Sequence, residues 1–140
     1  ATHESWTRDG SRFFFFRKTR PGWAPVAICS INKEGADFRV HYESDTIKLG
    51  HGTASRDGRW FISDCQQPGT NELVLVNLQT GEGTVLSYPN SSVDGGHSAH
   101  AHVHPSFSPL GNYVVYTSDL TGTPQVYVIP VGDLTGRNES

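Results

Sequence analysis

Apolar residues in this chain come in short bursts separated by polar or glycine-rich breaks; some bursts alternate with polar positions, as at 38–42 and 102–107, and others, such as 13–16 and 73–76, run continuously. Alternation with a period of two over a few residues is the pattern of a strand that buries one face. Read this way, the chain predicts strands at 2–6, 12–17, 25–31 and 38–42, then at 50–54, 59–64, 72–78 and 84–88. A third group follows at 102–107, 112–118 and 125–131. The breaks carry turn chemistry. Asp9-Gly10, Asp57-Gly58, Thr80-Gly81-Glu82-Gly83 and Thr121-Gly122-Thr123-Pro124 supply the positive-φ or proline positions of tight hairpins. The stretch from Pro89 to Gly96 is polar and glycine-rich and predicts an exposed loop. No helix of useful length is expected, because Gly, Pro and β-branched residues interrupt every candidate.

The strand groups repeat. Gly10 and Gly58 lie 48 residues apart, and Gly58 and Gly111 lie 53 apart. A period of roughly 40–50 with about four strands per unit marks the blade of a β-propeller. The expected fold class is therefore all-β, with about three consecutive four-stranded blades at 1–45, 46–92 and 97–134. The last is incomplete because it lacks an outer strand. Propellers usually have four to eight blades, so three do not close a ring. The chain is expected to be the C-terminal part of a longer propeller, or to close its fold with other chains, since bare strand edges invite aggregation.

Composition narrows the function classes. The formal net charge is −3, and Arg17-Lys18-Thr19-Arg20, the densest basic cluster, reads as a solvated hairpin end and not as a nucleic-acid surface. No apolar run approaches the ~18 residues of a spanning helix, so no membrane partner is expected. The first residue is not Met, which reads as a processed or cut terminus. Cys29 and Cys65 show no metal spacing and read as buried thiols, with a disulfide left open. Asn90-Ser91-Ser92 and Asn138-Glu139-Ser140 match the glycosylation sequon, a triplet common by chance.

The candidate chemistry lies in histidines that recur at one address. His3, His51 and His104 each stand six residues before the turn that leads out of the first strand of a unit. In a propeller that first strand lines the central channel, so three blades would present imidazoles at one mouth of it. His100, His102 and His104 alternate along Ala99-His100-Ala101-His102-Val103-His104, which places them on one side of an extended segment. Such a set suits Mn²⁺, Fe²⁺, Ni²⁺ or Zn²⁺ better than Ca²⁺, which prefers oxygen. His41 falls on an outer strand and reads as structural; His97 falls in the loop and is undecided.

At these residues the chain resembles the oligogalacturonate lyases of polysaccharide lyase family 22. The likeness rests on His3-Glu4-Ser5-Trp6-Thr7-Arg8-Asp9-Gly10-Ser11, on positions 51–64, and on His102-Val103-His104-Pro105-Ser106-Phe107-Ser108-Pro109 running on to Thr117-Ser118-Asp119. Ser-Phe-Ser-Pro and Thr-Ser-Asp also recur in Tol-system and prolyl-oligopeptidase-type propellers, so the three histidine-headed motifs carry most of the specificity. The resemblance implies a seven-bladed β-propeller, a channel-bound Mn²⁺, His51, His102 and His104 as its ligands, and His3 as the catalytic base. The family's glutamine ligand falls on Ala99 here, and His100 is expected to take its place as a fourth metal ligand. The family's substrate-binding arginine would lie upstream of Ala1, so substrate-binding residues are not assigned.

The implied reaction is β-elimination on an oligogalacturonide in a bacterial cytoplasm, although the sequons point to secretion. A cation on the substrate carboxylate neutralises its charge, and a neutral imidazole removes the adjacent C5 proton. Glu4 or Asp9 is available to orient His3, with Asp9 reading more readily as a turn residue. Two alternatives stay open at this point: a non-catalytic propeller that binds a sugar or a protein partner, and an inactive lyase fragment.

Overall fold

A computed structural model describes residues 2–18, 26–65, 72–92 and 101–136 of the chain. Its strands form three antiparallel sheets in sequence order. The first contains β1 (Thr2–Trp6), β2 (Arg12–Lys18), β3 (Val26–Asn32) and β4 (Arg39–Ser44). The second contains β5 (Leu49–Ala54), β6 (Trp60–Cys65), β7 (Leu73–Asn77) and β8 (Gly83–Ser87). The third contains β9 (Ser106–Phe107), β10 (Tyr113–Ser118) and β11 (Gln125–Pro130), followed by a one-turn helix, α1 (Gly132–Thr135). Each sheet is a meander, and the first strands β1, β5 and β9 stand side by side. This is the arrangement of consecutive β-propeller blades around an axis.

The middle blade shows why the sequence folds this way. Its β7 reads Leu-Val-Leu-Val and is buried on both faces. Val74 and Val76 join Phe14, Phe16, Val26, Ile28, Leu49 and Phe61 in a core between the first two blades. Leu73 and Leu75 join Ile62, Val103, Val114, Tyr116 and Val131 in a second core between the last two. Successive side chains of one strand thus serve opposite neighbours, as period-two geometry requires. Each such side chain contributes roughly 1.5–3 kcal/mol when fully buried. By contrast, β11 turns Val126 and Val128 outward at 71 % and 59 % exposure, an apolar face of the kind that a neighbouring blade covers in the middle of the molecule.

Two expectations need correction. Of the strand expected at 102–107, only Ser106–Phe107 forms a ladder with a neighbour, although the Val103 carbonyl also accepts from the Thr117 N–H at 2.9 Å. The one-turn helix α1 is in keeping with the expected lack of any helix of useful length; it ends at Gly136, whose φ of 69° suits glycine. The loop from Pro89 is not uniformly exposed: Pro89 and Ser91 are buried, because the Ser118 hydroxyl donates to the Pro89 carbonyl at 2.7 Å and the Ser91 hydroxyl donates to the Ala101 carbonyl. Residues 93–96 of that loop lie outside the described residues. Cys29 and Cys65 are both buried, and burial pushes the Cys29 thiol above its usual pKa. No helix among the described residues is long and apolar enough to cross a membrane.

Candidate metal centre

The histidine address is a defect in strand pairing. In β1 the register with β2 shifts between Thr2 and Ser5, and in β5 the register with β6 shifts between Leu49 and Gly52. His3 and His51 sit within these bulges, which re-aim side chains. His3 at φ 57° and His104 at φ 42° occupy the left-handed region, where a non-glycine residue costs about 1–3 kcal/mol and is held by its surroundings. Gly52 allows β5 to press on β6 here: a Cβ would meet the Ile62 carbonyl oxygen at 2.4 Å.

The bulges bring the rings together. His51 stacks on His104 with centroids 3.6 Å apart and on His3 at 4.4 Å, and His102 meets His51 edge-on at 5.3 Å. One ring nitrogen from each of His51, His102 and His104 lies within 4.8 Å of the other two. Two nitrogens that share one ion at about 2.0–2.1 Å each sit somewhat closer than that. His102 and His104 are exposed and His51 half-buried, while Ala101, Val103 and Pro105 between them turn inward. The side alternation expected of this segment therefore holds without a paired strand. His100 and Ala99 lie outside the described residues, as does His97.

Hydrogen bonds fix which nitrogens are available. The buried Asp64 carboxylate accepts from the His51 backbone N–H at 2.6 Å, the His51 Nδ1–H at 3.1 Å and the His104 backbone N–H at 3.1 Å. A carboxylate only accepts, so Nδ1 of neutral His51 carries the proton and Nε2 keeps its lone pair for an ion. Burial, followed by the neighbouring His51, holds the His104 imidazole below its usual pKa and hence neutral near pH 7. This donor set fits a divalent transition metal: neutral imidazoles, one backed by a carboxylate.

His3 is held differently. Its Nδ1 donates to the Gly50 carbonyl at 3.1 Å, which again leaves Nε2 unprotonated. The orienting group is thus neither Glu4 nor Asp9. Asp9 is a turn residue: it accepts from the Thr7 hydroxyl and from the amide and hydroxyl of Ser11, which lower its pKa to about 2. His3, Glu4, His51, Gly52, His104 and Pro105 line a cavity of about 200 Å³ at the cluster. His41 is remote from it on β4, donating from Nδ1 to the Leu78 carbonyl at 3.3 Å and accepting from the Ser30 hydroxyl at Nε2 at 2.8 Å.

Asp64 is the residue that sequence reasoning passed over. Its signal was available, because an aspartate inside the apolar run Trp60-Phe61-Ile62-Ser63-Asp64-Cys65 must be paired if that strand is buried.

Sheets, bulges and imidazoles together define consecutive β-propeller blades that carry a three-histidine candidate metal centre with a fourth histidine beside it. Comparison with known proteins gives this class a more particular setting. The chain is 27 % identical over 147 residues to the oligogalacturonate lyase of Dickeya dadantii and 30 % identical over 149 residues to the oligogalacturonide lyase of Pectobacterium atrosepticum, matching 94 % of the chain each time. It superposes on a solved oligogalacturonate lyase in complex with manganese with a TM-score of 0.79 and 25 % identity, covering 92 % of this chain and 34 % of that one. No family model matches the chain. The chain is a homologue of the oligogalacturonate lyases in sequence and structure, and it spans about 37 % of the length of the curated relatives.

Proposed function

We propose that these blades form the metal-binding side of the active site of an oligogalacturonate lyase, which cleaves oligouronides by β-elimination. The observation that carries this reading is the separation of roles among four adjoining imidazoles. Three have ring nitrogens within 4.8 Å of one another, and the fourth, His3, is exposed and bonded through Nδ1 to the Gly50 carbonyl. His51, His102 and His104 would hold a divalent cation, with Mn²⁺ favoured by the manganese in the solved relative. When bound, such a cation would offset the negative charge of the substrate carboxylate and acidify the carbon beside it.

The remaining chemistry belongs to the chain. His3 Nε2 takes the C5 proton, the C5–H electrons form the double bond to C4, and the C4–O bond breaks with its oxygen protonated from solvent. The Gly50 carbonyl accepts from Nδ1 throughout, which keeps the ring oriented and favours the imidazolium once it forms. Asp64 fixes the His51 tautomer and ties the backbone of His51 to that of His104, so two blades keep their ligands in register.

The test is His3→Ala in the complete protein, following unsaturated uronate formed from digalacturonate together with the metal content. Turnover should fall by about 10²–10⁴-fold, the range for loss of a general base, with metal content unchanged. Turnover near the unsubstituted rate would overturn the assignment, and loss of the metal would make His3 a ligand.

A further inference from the structure

The histidine repeat has a companion. Five residues after His3 stands Arg8 and five after His51 stands Arg56, each followed by Asp-Gly, whereas the third blade has Pro109 at that register. Three residues after the histidines come Trp6, Ala54 and Phe107. All six of these later residues line one cavity of about 260 Å³, whose remaining wall is mainly the hydroxyl residues Thr53, Ser55, Ser106 and Ser108. Three residues of extended chain span about 10 Å. The cavity therefore lies about that far along the inner strands from the metal centre, toward the turn end of the blades.

Its chemistry is one-signed. Among the described residues two guanidinium groups line it and no carboxylate does. Neither Arg8 nor Arg56 is engaged by an ion pair among the described residues. Arg56 also stands on the rim of a larger cleft of about 1070 Å³. In that cleft, however, the other guanidinium groups are committed: Arg12 and Arg39 bond Asp37, and Arg59 bonds Asp57 at 3.2 Å. Of the two, the smaller cavity pairs two such uncommitted cations with an exposed aromatic side chain. Trp6 is 58 % exposed, and Phe13, its partner across the β1–β2 pair, packs beside the indole at 5.1 Å between centroids, tilted by 56°. An exposed indole with a second ring beside it is a flat platform for the C–H face of a pyranose. Guanidinium forks match a carboxylate in geometry and charge, and the serine and threonine hydroxyls match ring hydroxyls.

We infer that Trp6, Arg8 and Arg56 form a second binding site, separate from the metal centre, for a single acidic sugar residue of the hexuronate type. The pyranose stacks on Trp6 while its carboxylate meets Arg8 and Arg56. The cavity has room for one ring, and the site requires neither a metal nor turnover. Its occupancy consequently stands or falls separately from the lyase reading.

The test uses galacturonate as probe, with galactose and inorganic phosphate as comparisons, followed by tryptophan fluorescence and by calorimetry on the metal-free protein. Galacturonate should bind saturably and change the Trp6 emission, and the change should disappear in Trp6→Phe. The double substitution R8Q/R56Q should weaken binding by at least about tenfold, as expected when charge-assisted bonds to a carboxylate are lost. Both side chains are exposed, so thermal unfolding should be unaltered. Galactose, which lacks the carboxylate, should bind at least about tenfold more weakly. Galacturonate binding should persist in H102A/H104A. Undiminished binding in R8Q/R56Q would overturn the proposal. So would its loss in H102A/H104A, which would move the sugar to the histidines, or phosphate binding as tight as galacturonate, which would leave only a general anion site.

Discussion

The first two blades carry histidines at the same register and treat them in opposite ways. His3 and His51 are 48 residues apart, and the same offset pairs Phe16 with Asp64 on the next strand. In the second blade the carboxylate opposite the histidine belongs to that blade, and it grips ring and backbone together. In the first blade that position is filled by a buried phenyl ring, which meets His3 edge-on at 6.5 Å, and the imidazole turns to a carbonyl of the neighbouring blade instead. His41 does the same with the Leu78 carbonyl. Both arrangements fix a tautomer. Only the carboxylate also adds negative charge behind the ring, which suits a metal ligand; a carbonyl orients the ring without adding that charge. One repeated position thus holds its imidazole in two ways, set by the residue facing it, and the ligand and base roles proposed above rest on that difference.

Removing the facing residue in each blade should have opposite consequences. Phe16 belongs to the core between the first two blades and meets Phe61 edge-on at 5.8 Å. Phe16→Ala should destabilise the fold by about 3–5 kcal/mol through the cavity it leaves, measured by urea unfolding. Metal affinity of the remaining folded protein should stay close to that of the original. A loss under about 1 kcal/mol would mean that the blades do not depend on this core, far below what large aromatic truncations cost.

Asp64→Asn should reverse the pattern, with a smaller loss of stability and a specific loss at the site. The amide has one accepting oxygen for three donors, and its NH₂ confronts an N–H of His51 or His104. If the NH₂ faces the ring, His51 must shift its proton to Nε2 and surrender the nitrogen that would bind an ion. Metal affinity should fall by about 10–100-fold, the range for loss of such a supporting contact, as read by competition with a chelating dye. Unchanged affinity would remove Asp64 from the metal centre and with it the contrast between the blades.

The contrast also explains what the sequence could and could not disclose. Short apolar bursts bounded by turn residues, the Asp-Gly pairs among them, place β1 to β8 within a residue or two, because each burst is a strand packed on one or both faces. The segment before β9 escaped that logic. His104 is in the left-handed region, and residues 101–105 alternate in burial without making a ladder. Recurrence of His3, His51 and His104 announced that imidazoles would converge. The division of labour proposed for them was legible only through the resemblance, since the hydrogen bonds to Gly50 and Asp64 that support it are not written in the spacing. A backbone carbonyl leaves no mark in a sequence. A carboxylate does, and Asp64 in a buried strand was that mark.

The smallest expected effect concerns the other carbonyl-held histidine of the first blade. Burial is the main cause that holds the His41 imidazole below its usual pKa; the nearby Arg12 and Arg39 act in the same direction, and the bond to Leu78 opposes them. Ser30 strengthens the preference for the neutral ring, because its hydroxyl donates to the Nε2 lone pair. The sign follows from linkage. With the folded pKa below the unfolded value of about 6.5, the unfolded chain takes up the proton first as pH falls. Stability associated with His41 is therefore fully present above about pH 6.5 and is lost progressively below it, until the folded ring also protonates. His41→Asn, whose amide can still donate toward Leu78, removes the titration but not the interblade bond. The difference in Tm between the original protein and His41→Asn should favour the original most at pH 7–8 and shrink toward pH 5, the span over which histidine titrates. A difference constant across that range would show that the ring is not held neutral. The carbonyl of the second blade would then act on the first as a spacer and not as a selector of protonation state.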